Sequence, residues 1–120
     1  MTTYAICHLQ PRATGPTPQE VADYIERIQA TMDPFGGHFL VHGVEPEVVE
    51  GPWPGALVMI GFPDAAAARA WYASPAYQQI LPLRLAHFTC RTVLVDGVPP
   101  GYDATATAHA IRSAAGGDGA

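Results

Sequence analysis

GPWPGALVMIGFPDAAAARAWYASPAYQ, residues 51 to 78, places a strand, a capped helix and a second capped turn one after another without a gap. Leu57 to Phe62 has the length and apolar continuity of a core strand. Asp64, after Pro63, is an N-cap acceptor for a helix over Ala65 to about Ala73. Ser74-Pro75 closes that helix, because the residue before a proline is pushed out of the α region, and caps the next turn, which runs through Leu83.

Outward from this stretch the chain predicts a βαββαβ order. Thr3 to Leu9 is a strand bounded by Pro11, and Arg12 to Pro16 is a loop. Thr17-Pro18-Gln19-Glu20 matches a capping box with proline at the first helical position. The helix that follows carries Val21, Tyr24, Ile25, Ile28 and Met32 at helical spacing, an apolar stripe directed at a sheet, and stops at Asp33-Pro34. Gly36-Gly37 turns the chain into His38 to Glu50, whose acids and proline read as an edge strand. Gly51 to Gly55 is a rigid connection to the strand Ala56 to Phe62, and His87 to Val95 is the last strand, ending at Asp96-Gly97. Residues 1–97 thus make one domain. Residues 98–120, with many small side chains and little to bury, read as a C-terminal tail that is mostly mobile.

Composition excludes several classes of function. All six basic residues are arginines, set against eleven carboxylates for a formal charge of −5, which disfavours a nucleic-acid partner. The absence of lysine rules out Schiff-base chemistry on a lysine. No apolar run reaches membrane-spanning length, and the first residues carry no basic stretch followed by an apolar one, so no membrane partner and a cytoplasmic location are expected. No phosphate-binding glycine motif, redox motif or metal-ligand spacing appears, so the expectation is no cofactor and no metal. On a strand, His38 and His42 would stand about 13 Å apart, too far to share an ion.

The residues Gly36-Gly37, Gly51 with Trp53, Phe62-Pro63, Ala70-Trp71-Tyr72 with Ser74-Pro75 and Tyr77, then Arg84 and Val95 with Gly97, resemble the DUF1330 family, whose pattern runs GG, eG-W, FP, A-WY-SP-Y, R and v-G. That family is similar to dimeric α/β-barrel proteins. The resemblance implies an α+β, ferredoxin-like fold, a four-stranded antiparallel sheet of order 4-1-3-2 with both helices on one face. Four short strands with a bare apolar face are marginal alone, so a homodimer packed through that sheet face is expected on physical grounds as well. The same fold places Cys7 and Cys90 on adjacent strands, where free, buried thiols are expected.

Period-two alternation puts Tyr4, Ile6 and His8 on one side of the first strand and Ala5, Cys7 and Leu9 on the other. By the same reading His38, Leu40 and His42 share a side of the second strand, and His87, Thr89, Arg91 and Val93 a side of the last. The opposite sides suit the helix-facing core, so the histidines and Arg91 are expected to point between the two sheets of a dimer. Where the family pattern carries a basic residue after GG and an arginine further along the strand, this chain has His38 and His42. Imidazole titrates near neutrality and arginine does not.

His42, His8 and His38 are therefore the candidate catalytic residues, with Arg91, Arg84, Tyr72, Tyr77, Trp53 and His87 as candidate ligand-binding residues. Each also has a plain structural reading. His38 can sit in water and His42 can bond a backbone carbonyl. Trp71 can supply most of the packing of an alanine-rich helix, and Tyr72, Tyr77 and Arg84 can be core residues. Ser74 has a sufficient role as a cap. Two functions follow: a cofactor-independent enzyme of isomerase, cyclase or hydrolase type, doing histidine acid/base chemistry on a small organic molecule, or a non-catalytic dimeric binding protein. A cavity of a few hundred Å3 with two or more histidines in its wall would favour the first.

Overall fold

The computed structural model describes residues 1–117. In chain order the elements are β1 (Thr3–Pro11), α1 (Gln19–Met32), a 3-10 turn (Asp33–Phe35), β2 (His38–Val44), β3 (Ala56–Phe62), α2 (Ala65–Ala73), α3 (Pro75–Leu85), β4 (Phe88–Asp96) and α4 (Ala104–Gly117). The strands form one antiparallel sheet in the order β2-β3-β1-β4, the expected 4-1-3-2 arrangement of a ferredoxin-like fold.

Alternation in β1 follows the sequence reading. Ala5, Cys7 and Leu9 are buried against the helices, while Tyr4, Ile6 and His8 stand half-buried on the open face. α1 adds Tyr24, Ile28 and Met32 to the core, and β3 adds Val58, Ile60 and Phe62. In α2 only Ala68 and Trp71 are buried, so the tryptophan carries that helix's packing, with its ring 5.2 Å from Phe62 and 4.2 Å from Tyr77. The turn into β2 needs its glycines. Gly36 has φ +71°, and a Cβ on Gly37 would lie 2.6 Å from the Phe62 ring.

Two of the expected caps are present. Asp64 Oδ1 accepts from the Ala67 N–H at 2.8 Å, and Ser74 Oγ accepts from the Tyr77 N–H at 3.3 Å while donating to the Trp71 carbonyl at 2.7 Å. The third is not. α1 starts one residue later than the capping box requires, with extended Pro18 as N-cap and no side-chain bond, so Thr17 falls outside the reach of the first free N–H groups.

β2 departs from simple alternation. The register runs Phe39 opposite Ile60, then Val41 opposite Met59, then His42 opposite Val58, with bulges between Phe39 and Val41 and between His42 and Val44. Leu40 is the extra residue of the first, and Gly43, at φ +65°, occupies the second. Each bulge advances the chain without alternating faces, so Phe39 and His42 both face the helices, whereas His38 and Leu40 stay over Gly61 on the open face.

The segment read as a mobile tail contains a helix. Alanine-rich sequence favours it and Asp103 caps it, accepting from the Thr105 N–H at 2.9 Å and the Thr105 hydroxyl at 2.5 Å. The expectation rested on the absence of buried area, and that part of the reasoning stands: through residue 116 the side chains of α4 are exposed, apart from half-buried Ala108. Residues 118–120 of the expected tail lie outside the described residues. No helix of the described residues is long and apolar enough to cross a membrane.

Candidate functional site

Between the sheet and helices α1 and α3 lies a cleft of about 400 Å3. Ala5, Cys7, Leu9, Val58 and Ile60 form its sheet wall, Val21, Tyr24 and Ile28 of α1 the opposite one, and Tyr77 and Arg84 of α3 line it with Trp71. His42, Glu45, Gly55 and Phe88 belong to the same lining. The cavity lies within the protomer, on the helix side of the sheet, whereas the sequence reading placed the pocket on the opposite face.

Arg84 owes its position to α3, where Tyr77, Ile80, Leu81 and Arg84 fall at helical spacing on the buried side. Only 5% of it is exposed. Its Nη2 donates to Tyr77 Oη at 3.2 Å, its Nη1 to Cys7 Sγ at 3.5 Å, and its Cζ sits 5.7 Å from the centre of the Tyr24 ring. Tyr24 Oη and Tyr77 Oη share a hydrogen at 2.8 Å, and the Thr92 hydroxyl donates to Cys7 Sγ at 3.2 Å. Burial works against the guanidinium charge, but Tyr77, Tyr24 and Cys7 more than offset it, so the Arg84 pKa lies above its ordinary value. Burial raises both phenol pKa values, that of Tyr24 helped by Tyr77, and keeps the hydroxyls protonated.

His42 stacks on Phe39 with ring centroids 4.0 Å apart. Partial burial lowers its pKa, leaving the imidazole neutral and basic at pH 7.

The remaining candidates are dispersed. His8 bonds the Pro54 carbonyl through Nε2 and packs edge-on against Trp53, with centroids 5.3 Å apart. These two, with Arg91, Gln10, Thr89 and Pro52, edge a second hollow of about 360 Å3 on the open face. His38 stays on that face over Gly61. His87 does not join it: it precedes β4 and turns back to α1, where its Nε2 lies 3.2 Å from Glu20 Oε1. Tyr72 sits outside the cleft lining, against Trp71 and Tyr77. The expected convergence of histidines and Arg91 therefore fails at His42 and His87, and each cavity has a single histidine in its wall.

Cys7 and Cys90 are free and lie on neighbouring strands, but Cys7 is opposite Thr92 and Cys90 opposite Leu9, a diagonal relation. Burial raises the Cys90 thiol pKa against the pull of Arg84. Among the described residues no group of three or more His, Cys, Asp or Glu side chains is placed to hold a metal ion.

Sequence reasoning missed Tyr24 as a polar participant, because within the α1 stripe it counted as one more apolar ring. It also missed Thr92 and Phe39.

Several solved structures share the fold. A protein of unknown function from Rhodopseudomonas palustris is 20% identical, with a TM-score of 0.63 over 82% of this chain and 84% of its own. A dimeric ferredoxin-like protein of unknown function from Jannaschia sp. CCS1 is 17% identical, with a TM-score of 0.57 over 81% of this chain and 100% of its own. SnoaB, a cofactor-independent oxygenase from Streptomyces nogalater, is 16% identical, with a TM-score of 0.58 over 85% of this chain and 98% of its own. No curated protein matches the chain. The sequence profile described as domain of unknown function (DUF1330) matches residues 2–98, and the chain belongs to that family.

Proposed function

We propose that this protein is a homodimer that binds a small organic molecule in the sheet–helix cleft of each protomer and moves a proton on it without a cofactor, with His42 as the base. The observation that carries the reading is the bulged path of β2, which turns a neutral imidazole toward an apolar cleft of about 400 Å3. A base in such a place needs no proton removed before it acts, and apolar walls limit competition from water. His8 is held by the Pro54 carbonyl and His38 lies on the other side of the sheet, so neither shares the site. The cofactor-independent oxygenase among the structural neighbours is a precedent for chemistry on this fold, by analogy only.

Dimerisation is supported by the open face, which presents Leu40 at 48%, Val93 at 55% and Val95 at 42% exposure alongside half-buried Ile6 and Met59. A dimer through this face would bury about 2,000 Å2 or more in total. Light scattering that returns a monomer at micromolar concentration overturns that part of the proposal.

The catalytic part is tested with 5-nitrobenzisoxazole, whose ring opening reports a base in an apolar site. Because burial lowers the His42 pKa, the rate should be flat above pH 6.5 and fall below it as the imidazole takes up a proton. His42→Ala should remove this activity. His42→Arg should not restore it, because a guanidinium keeps its proton at these pH values. A wild-type-like pH profile in His42→Arg overturns the assignment. The non-catalytic binding reading has one specific support: no hydrogen bond orients the His42 ring, so an unreactive wild-type protein that still binds small aromatic compounds would favour it.

A further inference from the structure

We infer that the Arg84 end of the cleft is a seat for an anionic oxygen, so that the ligand is a small, mostly apolar acid, such as an aromatic carboxylate or an enolate, held by Arg84 and the Tyr24–Tyr77 pair. The inference rests on reading the cleft as a small-molecule site.

A buried charge is costly unless it is paired. Arg84 is 95% buried, being 5% exposed, and no carboxylate lies within ion-pair distance of it; among the described residues the one salt bridge joins His87 and Glu20. Its bonds to Tyr77 Oη and Cys7 Sγ engage two of the five N–H donors of a guanidinium. The phenols beside it stay protonated, so they supply hydrogen bonds and no counter-charge.

The hydroxyl pair offers a further donor. Two phenolic hydrogens are present, and one is used in the 2.8 Å bond between Tyr24 and Tyr77. The other remains to donate to a ligand oxygen beside the guanidinium, an arrangement that suits an anion and disfavours a neutral ester or amide. The walls set the rest of the ligand: Trp71, Phe39 and Phe88 line the same cleft and suit a flat, unsaturated body. Glu45 is the acidic residue of the lining, and it is exposed, where solvent and salt screen it.

The test compares 2-naphthoate with its neutral isostere 2-naphthamide by calorimetry on the full chain. Wild-type protein should bind the acid at least tenfold more tightly than the amide. Arg84→Met, which keeps the length and removes the charge, should erase that preference, whereas Arg91→Gln on the opposite face should leave it intact. If Arg84→Met fails to fold, Tyr24→Phe serves instead, and its preference for the acid should drop at least threefold. Equal affinity of the wild type for acid and amide overturns the anion seat while leaving the cleft as a binding site. A preference for the acid that survives both Arg84→Met and Tyr24→Phe overturns it as well. Binding of neither compound at millimolar concentration overturns the seat and the cleft reading together.

Discussion

Arg84 and Arg91 stand on opposite sides of the same sheet, and their surroundings differ more than their chemistry. Arg84 is enclosed by Tyr77, Cys7 and the Tyr24 ring, with apolar walls around it. Arg91 is exposed, beside His8 and Trp53 at the edge of a shallow hollow. The same charge acts over a short, screened range in water and strongly in an interior. Enclosure, more than residue type, separates a candidate site from a decorated surface, and the helix side is the face where enclosure is already complete within one chain.

The comparison breaks most visibly at Trp71. Trp71→Ala removes the ring that packs on Phe62 and Tyr77 and donates to Thr31 Oγ1 at 3.1 Å, so it should cost about 3–5 kcal/mol, measured by urea denaturation. A loss below about 1 kcal/mol would mean that the helix side is not the main core. The open face has a different expected weakness. Met59→Asp places a charge among half-buried apolar side chains, and dimer dissociation should become more than tenfold easier, above about 1.4 kcal/mol, with the monomer fold retained. Sedimentation equilibrium checks this, and unchanged assembly would move the interface elsewhere. The smallest effect sharpens the helix side alone. Asp64→Ala should lower stability by about 1 kcal/mol through the lost cap, whereas Thr17→Ala should change it by less than about 0.5 kcal/mol. Thermal melts of the two variants should separate them.

The architecture was legible because apolar period and caps are local. Leu57 to Phe62 announces its strand, Asp64 and Ser74 announce their helices, and pairing then follows from the edge character of β2. Thr17 misled because a one-residue shift in a helix start leaves the composition of a capping box unchanged. The site was half legible. Tyr77 and Arg84 were candidates from the family pattern, and their seven-residue separation already places them on one side of a helix. His42 was selected for the right chemistry and assigned to the wrong face, because alternation counts residues and carries no mark for a residue that the pairing strand skips.

The bulge at Leu40 turns residue count along β2 into a control on reactivity. Removing Leu40 would leave every other letter of the strand in place, restore strict alternation, and carry His42 through the sheet to the side where His38 stands. A gap of one position in an alignment of relatives would then mark the transfer of a functional group between two compartments, and columns matched by letter alone would pair side chains that never meet the same ligand. Within such a family, chemistry can be gained or lost by insertion and deletion while the catalytic alphabet stays constant.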